Sequence, residues 1–300
     1  MAIGGAVGRV VARARGPRTG VALRNLEIAF PAWSRAERHR TLVASFANVG
    51  RAIAEVALLT GRHREQILDA VRIEGLEHLV AAQRSTPQGG VILLTAHFGS
   101  WELAGAALAR SGIPLSVVHH GFENAQLGSM VTRWRHAGGM QTLELGSAGL
   151  GAVRALRRGR VVAMLFDQNA GRREGRFAPF FGLDASTRAG PALLAMRLGI
   201  PVVPAFFWRV GDGPRHVARF LPALEIEPAA DDAERSLYRN LCRMNGAIEA
   251  AVREAPDQWT WIHKRWKTRP EGELGAIYLA RHRLRRRLRQ WLARAGLSGA

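Results

Sequence analysis

Cysteine is all but missing from these 300 residues: Cys242 stands alone. A single thiol excludes an internal disulfide and a cysteine-based zinc site, and it fits a reducing, cytosol-facing compartment. Long apolar runs are absent too. None approaches the roughly 20 residues a bilayer span requires, and the opening MAIGGAVGRVVARARG is broken at Arg9 and lacks the order of a secretory signal. Acidic residues are scarce: 24 Asp and Glu face 43 Lys and Arg, nearly all of them arginine, for a formal charge of +19. That balance favours anionic partners: nucleic acid, an anionic membrane surface, or an acidic protein or substrate. Nucleic acid is the weakest of these, because the arginine-rich segment lacks interleaved aromatics and no helix-turn-helix or RNA-binding signature occurs. No repeat or low-complexity linker divides the chain, and its apolar content of 47% excludes global disorder.

What is present reads as one large α/β unit. Asn25 to Phe30 is helical and stops at Pro31; Ser34 followed by Glu37 forms a capping-box pattern, and apolar residues then recur at three and four to Leu59. Three short apolar runs, Val91 to Thr95, Val161 to Phe166 and Pro201 to Trp208, have the composition of strands buried on both faces. Helical patterns near Leu76 to Gln83, Leu150 to Arg157 and Ala189 to Leu198 lie around them. The alternation predicts a mixed, largely parallel central sheet with helices on both faces. From Ile277 onward, Leu284, Leu288, Trp291 and Leu292 form one helical stripe among arginines, the composition of a basic amphipathic helix at a membrane surface. The boundaries expected are a basic segment over 1–24 suited to membrane contact, a main domain over 25–270 and a basic tail over 271–300.

In open α/β sheets ligands bind beyond the carboxyl ends of the strands. His97, in TAHFGSWE, falls just past one strand and Asp167 just past another. Ser100 is placed to cap a helix that carries Glu102 in its first turn, so a loop histidine and a helical carboxylate can meet: a general base and the group that orients it. The same residues also allow a capped helix start with a satisfied histidine. The dyad requires His97 to stay in the loop while Glu102 begins the helix. Phe180-Phe181 and Phe206-Phe207 read as core, and His119, His120 and His263 have no trustworthy metal-ligand spacing.

HFGSWEL after an apolar strand resembles the His-x4-Asp/Glu block of glycerolipid and lipid A acyltransferases. NLEIAFPAWSRAER, FDQNAG leading to FAPFFG, Gly190 with GIPVVP, and the closing APDQWTWIHKRWKTRP resemble, in order, blocks of the bacterial lipid A biosynthesis lauroyl/myristoyl acyltransferases. The resemblance runs from about Asn25 to Pro270. It implies transfer of a fatty acyl chain from acyl carrier protein to a hydroxyl on an acylated glucosamine disaccharide, at the cytoplasmic face of the inner membrane and without metal or redox cofactor. A phospholipid or glycolipid acceptor, such as a mannosylated inositol lipid, is the alternative.

On this resemblance His97 is the base and Glu102 its partner. The family's arginine maps to Arg133 or Arg135, Arg133 being preferred, and its central aspartate to Asp167, with Gln168 beside it. A structural ion pair is the other reading of Arg133 and Asp167. Arg173, Arg176, Lys264, Arg265 and Lys267 are candidates for phosphate or acidic-protein contacts. Oxyanion donors would be backbone N–H groups between Gly99 and Trp101, or an arginine. Members of the family usually begin with a membrane-spanning segment. Without one, attachment would be peripheral, through the two basic ends, unless the true start lies upstream.

Overall fold

The computed structural model describes residues 1–14, 16–119, 125–144, 148–229, 232–271 and 277–278. The expected amphipathic tail helix lies outside the described residues, apart from Ile277 and Tyr278 at its start, as does His120. Three helices open the chain: α1 (Ala2–Arg13), α2 (Pro17–Ala29) and α3 (Arg35–Leu58). Then come α4 (Arg64–Asp69), β1 (Val71–Glu74), α5 (Leu76–Arg84), β2 (Val91–Thr95), α6 (Trp101–Arg110) and β3 (Leu115–His119). The middle of the chain holds α7 (Ala125–Ala137), β4 (Gln141–Glu144), α8 (Ala148–Arg157) and β5 (Val161–Leu165). A hairpin, β6 (Gly175–Phe180) and β7 (Leu183–Arg188), precedes α9 (Gly190–Leu198), β8 (Val202–Arg209), β9 (His216–Phe220) and α10 (Ala233–Glu254). A short 3₁₀ turn, Pro256–Gln258, leads into the closing segment.

Local chemistry sets several boundaries. Ser34 and Glu37 form the expected reciprocal capping box at the start of α3. Gly199, at φ 61°, closes α9 in a left-handed conformation that glycine adopts without a steric penalty. β2 is buried along its whole length, as a central parallel strand must be.

Seven strands form the main sheet in the order β1-β9-β8-β2-β5-β3-β4. All neighbouring pairs are parallel except β8 and β9, and β6–β7 makes a separate antiparallel pair. Alternate residues feed two cores. Ile92, Leu94, Val162, Met164 and Val202 pack into one with α2, α9 and α10, while Val91, Leu93, Val161, Ala163 and Val203 pack into the other with α5 and α6. Period-two alternation thus buries both faces of the central strands.

α3 is long and apolar enough to cross a membrane by length and composition, although 44% of its apolar window is buried within the domain. Its Leu42, Phe46, Ala47 and Ala52 are core residues. Glu55, fully buried, accepts hydrogen bonds from Arg209 at 2.5 and 2.8 Å and meets His216 at 2.9 Å. Burial alone would raise the Glu55 carboxyl, but the His216 and Arg209 contacts outweigh it and hold it at about 2. A helix tied by a buried ion pair to two strands serves as a core helix.

Candidate active site

The sheet order decides which loops meet. The chain leaving β2 passes over one face through α6 to β3, and the chain leaving β5 passes over the other through α9 to β8. β2 and β5 are parallel neighbours, with Thr95 opposite Leu165, so their carboxyl ends open onto one crevice where the connections depart in opposite directions. His97 follows one strand by two residues and Asp167 follows the other by two.

His97 Nδ1 lies 2.9 Å from Asp167 Oδ1, and the His97 backbone N–H donates to Asp167 Oδ2 at 3.0 Å. The indole N–H of Trp259 donates to the same Oδ2 at 2.7 Å. Asp167 is buried, whereas the His97 side chain is 24% exposed. Desolvation would raise the Asp167 carboxyl; the His97 charge and the hydrogen bonds from His97 and Trp259 overcome it and hold it at about 2. An ionised Asp167 fixes the tautomer with the proton on Nδ1 and the lone pair on Nε2. Gln168 Nε2 stands 3.2 Å from His97 Nε2, and the Trp101 ring packs edge-on against the imidazole at 5.1 Å.

His97 stays in the loop and Glu102 sits in the first turn of α6, as the dyad requires. The carboxylate on His97 is nevertheless Asp167. Glu102 instead accepts two hydrogen bonds from Arg135, Nε to Oε2 at 3.0 Å and Nη2 to Oε1 at 2.5 Å. Ser100 occupies the N-cap position without a side-chain capping bond. Of the two arginines on α7, Arg135 pairs with Glu102 and lines a cleft together with His97, and the preferred Arg133 does neither. Arg133 is exposed and bonds Ser129 one turn back, while Arg135 is buried with Nη1 lacking a partner among the described residues. Position 135 lies on the helix face toward α6, and position 133 does not.

His97 and Arg135 both line a cleft of about 670 Å³. Trp101, Ala152, Met164, Phe166, Leu193 and Leu194 supply apolar wall, and Gln168, Arg173, Arg176 and Arg188 supply polar groups. Such a volume suits a substrate of moderate size. The remaining basic candidates fall elsewhere. Arg265 is fully buried, donating to Ser186 O at 2.8 Å and Thr187 Oγ1 at 2.7 Å, and burial lowers its guanidinium to about 10. It braces β7 and is not among the residues lining this cleft. Lys264 and Lys267 are exposed and outside the cleft lining. Phe180, Phe181, Phe206 and Phe207 are core, as expected. Gly99 N–H already donates to Gln258 O at 2.9 Å, which removes one of the expected oxyanion donors.

Two contributors escaped the sequence reading. Trp259 clamps Asp167 through its indole, and His263 Nε2 accepts from the Asn169 backbone N–H at 3.0 Å. Burial, then the charges of His97, Arg265 and Arg18, lower His263 to about 4 against the pull of Asp167, so it is a neutral acceptor. Asn25 of α2 donates to Trp261 O and His263 O at 2.7 Å, and Ser45 of α3 donates to Trp259 O at 2.7 Å. The opening helices thus pin the closing segment that pins the aspartate. Among the described residues no group of three His, Cys, Asp or Glu side chains is placed to hold a metal ion.

A family model for bacterial lipid A biosynthesis acyltransferases matches residues 1–268. The lipid A biosynthesis lauroyltransferase of Escherichia coli (strain K12) is 31% identical over 273 residues, covering 90% of this chain and 86% of that protein. The palmitoleoyltransferase of the same organism is 29% identical over 87% of this chain and 82% of its own length, and the myristoyltransferase is 29% identical over 84% and 76%. With the family matched along nearly its whole length, the chain belongs to the bacterial lipid A biosynthesis acyltransferases and is an acyltransferase.

Proposed function

We propose that this chain transfers a fatty acyl group from acyl carrier protein to a hydroxyl of a lipid A precursor at the cytoplasmic face of the inner membrane, with His97 as general base. The observation that carries the catalytic part is the His97–Asp167 contact at the mouth of an apolar cleft. Nε2 takes the proton of the acceptor hydroxyl as its oxygen forms a bond to the thioester carbonyl carbon. The C–S bond then breaks, and the proton passes from imidazolium to the departing thiolate. Asp167 stabilises the imidazolium between these steps.

Arg135, which lines the cleft and whose buried Nη1 has no partner among the described residues, supplies the positive charge that stabilises the oxyanion. Glu102 is then a positioning residue: its carboxylate holds the guanidinium plane of Arg135 by two bonds. Arg173 and Arg176 at the cleft suit the phosphates of the acceptor or the acidic carrier protein.

Full-length protein incubated with acyl-ACP and a tetraacylated lipid A precursor should yield a lipid heavier by one acyl group in the mass spectrum. Gain confined to a lysophospholipid or a mannosylated inositol lipid would replace the acceptor class. Full turnover by His97→Ala would eliminate the base assignment.

A further inference from the structure

α1 turns its small residues inward and its large apolar ones outward. Gly5, Gly8 and Ala12 are buried against α3, and the backbones approach so closely that a Cβ on Gly8 would lie 2.1 Å from Phe46 O and one on Gly50 2.1 Å from Gly4 O. On the opposite face Ile3, Val7 and Val10 recur at four and three residues and are 81%, 56% and 65% exposed. Ile53 of α3, 67% exposed, is a further large apolar side chain open to solvent on this pair of helices. No acidic residue occurs in α1.

Beside this ridge a groove of about 610 Å³ runs between α1, α3 and the loop after β8. Arg9, Arg13, His39, Arg40 and Arg51 line it. Two carboxylates share the groove but are engaged: Asp212 with Arg51 at 2.5 Å, and Asp257 with Asn48 at 3.1 Å. Arg9, Arg13 and Arg40 form no ion pair among the described residues. The groove shares no lining residue with the catalytic cleft.

We propose that the packed pair of α1 and α3 is the face that docks on the bilayer, with the valine ridge entering the interface and the arginine groove receiving the phosphate of an anionic phospholipid headgroup. An aliphatic face flanked by arginines on one helix is the pattern of an interfacial element. Arginine recognises phosphate oxygens with paired N–H donors, and each basic residue near an anionic leaflet adds to the attraction. An acidic protein would satisfy the arginines and leave the exposed ridge unused. The proposal does not rest on the acyl-transfer reading, because its readout is binding alone.

The test is cosedimentation of the full chain with vesicles of phosphatidylcholine alone or mixed with phosphatidylglycerol. Wild-type protein should prefer the mixed vesicles. Arg13→Glu with Arg40→Glu should weaken that binding by about tenfold or more. A charge-matched control, Arg84→Glu with Arg158→Glu, should weaken it far less. Val7→Ser with Val10→Ser should lower binding to both vesicle types, with melting temperatures near wild type in every case. Equal losses in the groove pair and the control pair would reduce the effect to net charge and overturn the headgroup groove. Unchanged binding in the valine variant would overturn the ridge.

Discussion

Asp167→Asn separates the two carboxylates that could serve His97. The native side chain accepts three hydrogen bonds, from His97 Nδ1–H, the His97 backbone N–H and the Trp259 indole. An amide there has a single oxygen. With its NH₂ toward Nδ1 it forces the other imidazole tautomer; with its NH₂ the other way it meets two N–H donors. The carboxyl sits at about 2 against its ordinary 3.8. A hydrogen bond to a charged group contributes about 1.5–3 kcal/mol. Losing it when imidazolium forms slows the reaction about 10- to 150-fold, and the tautomer penalty adds to that. The expected fall in kcat is about 10²–10⁴-fold, with little change in KM for acyl-ACP. Turnover followed by mass spectrometry, with a thermal melt of each variant, measures it. Glu102→Gln is the partner experiment, because glutamine still accepts from Arg135; it should keep the wild-type pH limb of the base. If Asp167→Asn stays within tenfold of wild type while Glu102→Gln loses two or more decades and shifts that limb, Glu102 is the orienting group and the present assignment is wrong.

Gly99→Ala should abolish activity and lower the melting temperature sharply, since residue 99 sits at φ 59° and a Cβ there would lie 1.7 Å from Phe207 O; a normal melt would refute the close packing of the catalytic loop. His263 titrates at about 4 when folded against the usual 6.5, so the unfolded chain binds its proton first as pH falls. Stability from this group is complete above about pH 6.5 and declines by about 3 kcal/mol by pH 4; urea titrations should show that slope, and His263→Gln should flatten it. Glu55→Gln leaves Arg209 buried without its counter-charge, at a cost of about 3–5 kcal/mol, which a denaturation midpoint will register; a midpoint equal to wild type would mean the charge is solvated.

The fold was legible where patterns are local. The central strands β2, β5 and β8, buried along nearly their whole length, announce themselves as near-continuous apolar runs, and the α3 start is written in Ser34 and Glu37. The edge strands and the β6–β7 hairpin are less visible. VRIE at one edge and QTLE at the other mix polar and apolar residues because an edge is only partly covered, and GRFAPF, paired only with β7, mixes buried and exposed positions. α1 was missed for a different reason: with glycines at its packed face and valines outside, its pattern inverts that of a soluble amphipathic helix.

The site was legible as a set of residues and illegible as a set of pairs. His97 and Asp167 stand 70 positions apart, and only the adjacency of β2 and β5, with Thr95 facing Leu165, makes them partners. Nothing in either local stretch encodes that adjacency, whereas five-residue proximity makes Glu102 the obvious choice. Proximity misleads because α6 begins at Trp101, so Glu102 faces α7 and meets the guanidinium of Arg135. The same geometry separates Arg135 from Arg133, the residue preferred from the sequence: two residues along a helix turn a side chain to another face, and it is Arg135 that reaches Glu102. A bidentate ion pair at the wall of the cleft is a stricter requirement than a charge near it. It follows that Arg135→Lys, which keeps the charge and loses the fork, should behave like a deletion at this position, whereas the same change at Arg133, which reaches only Ser129, should be silent.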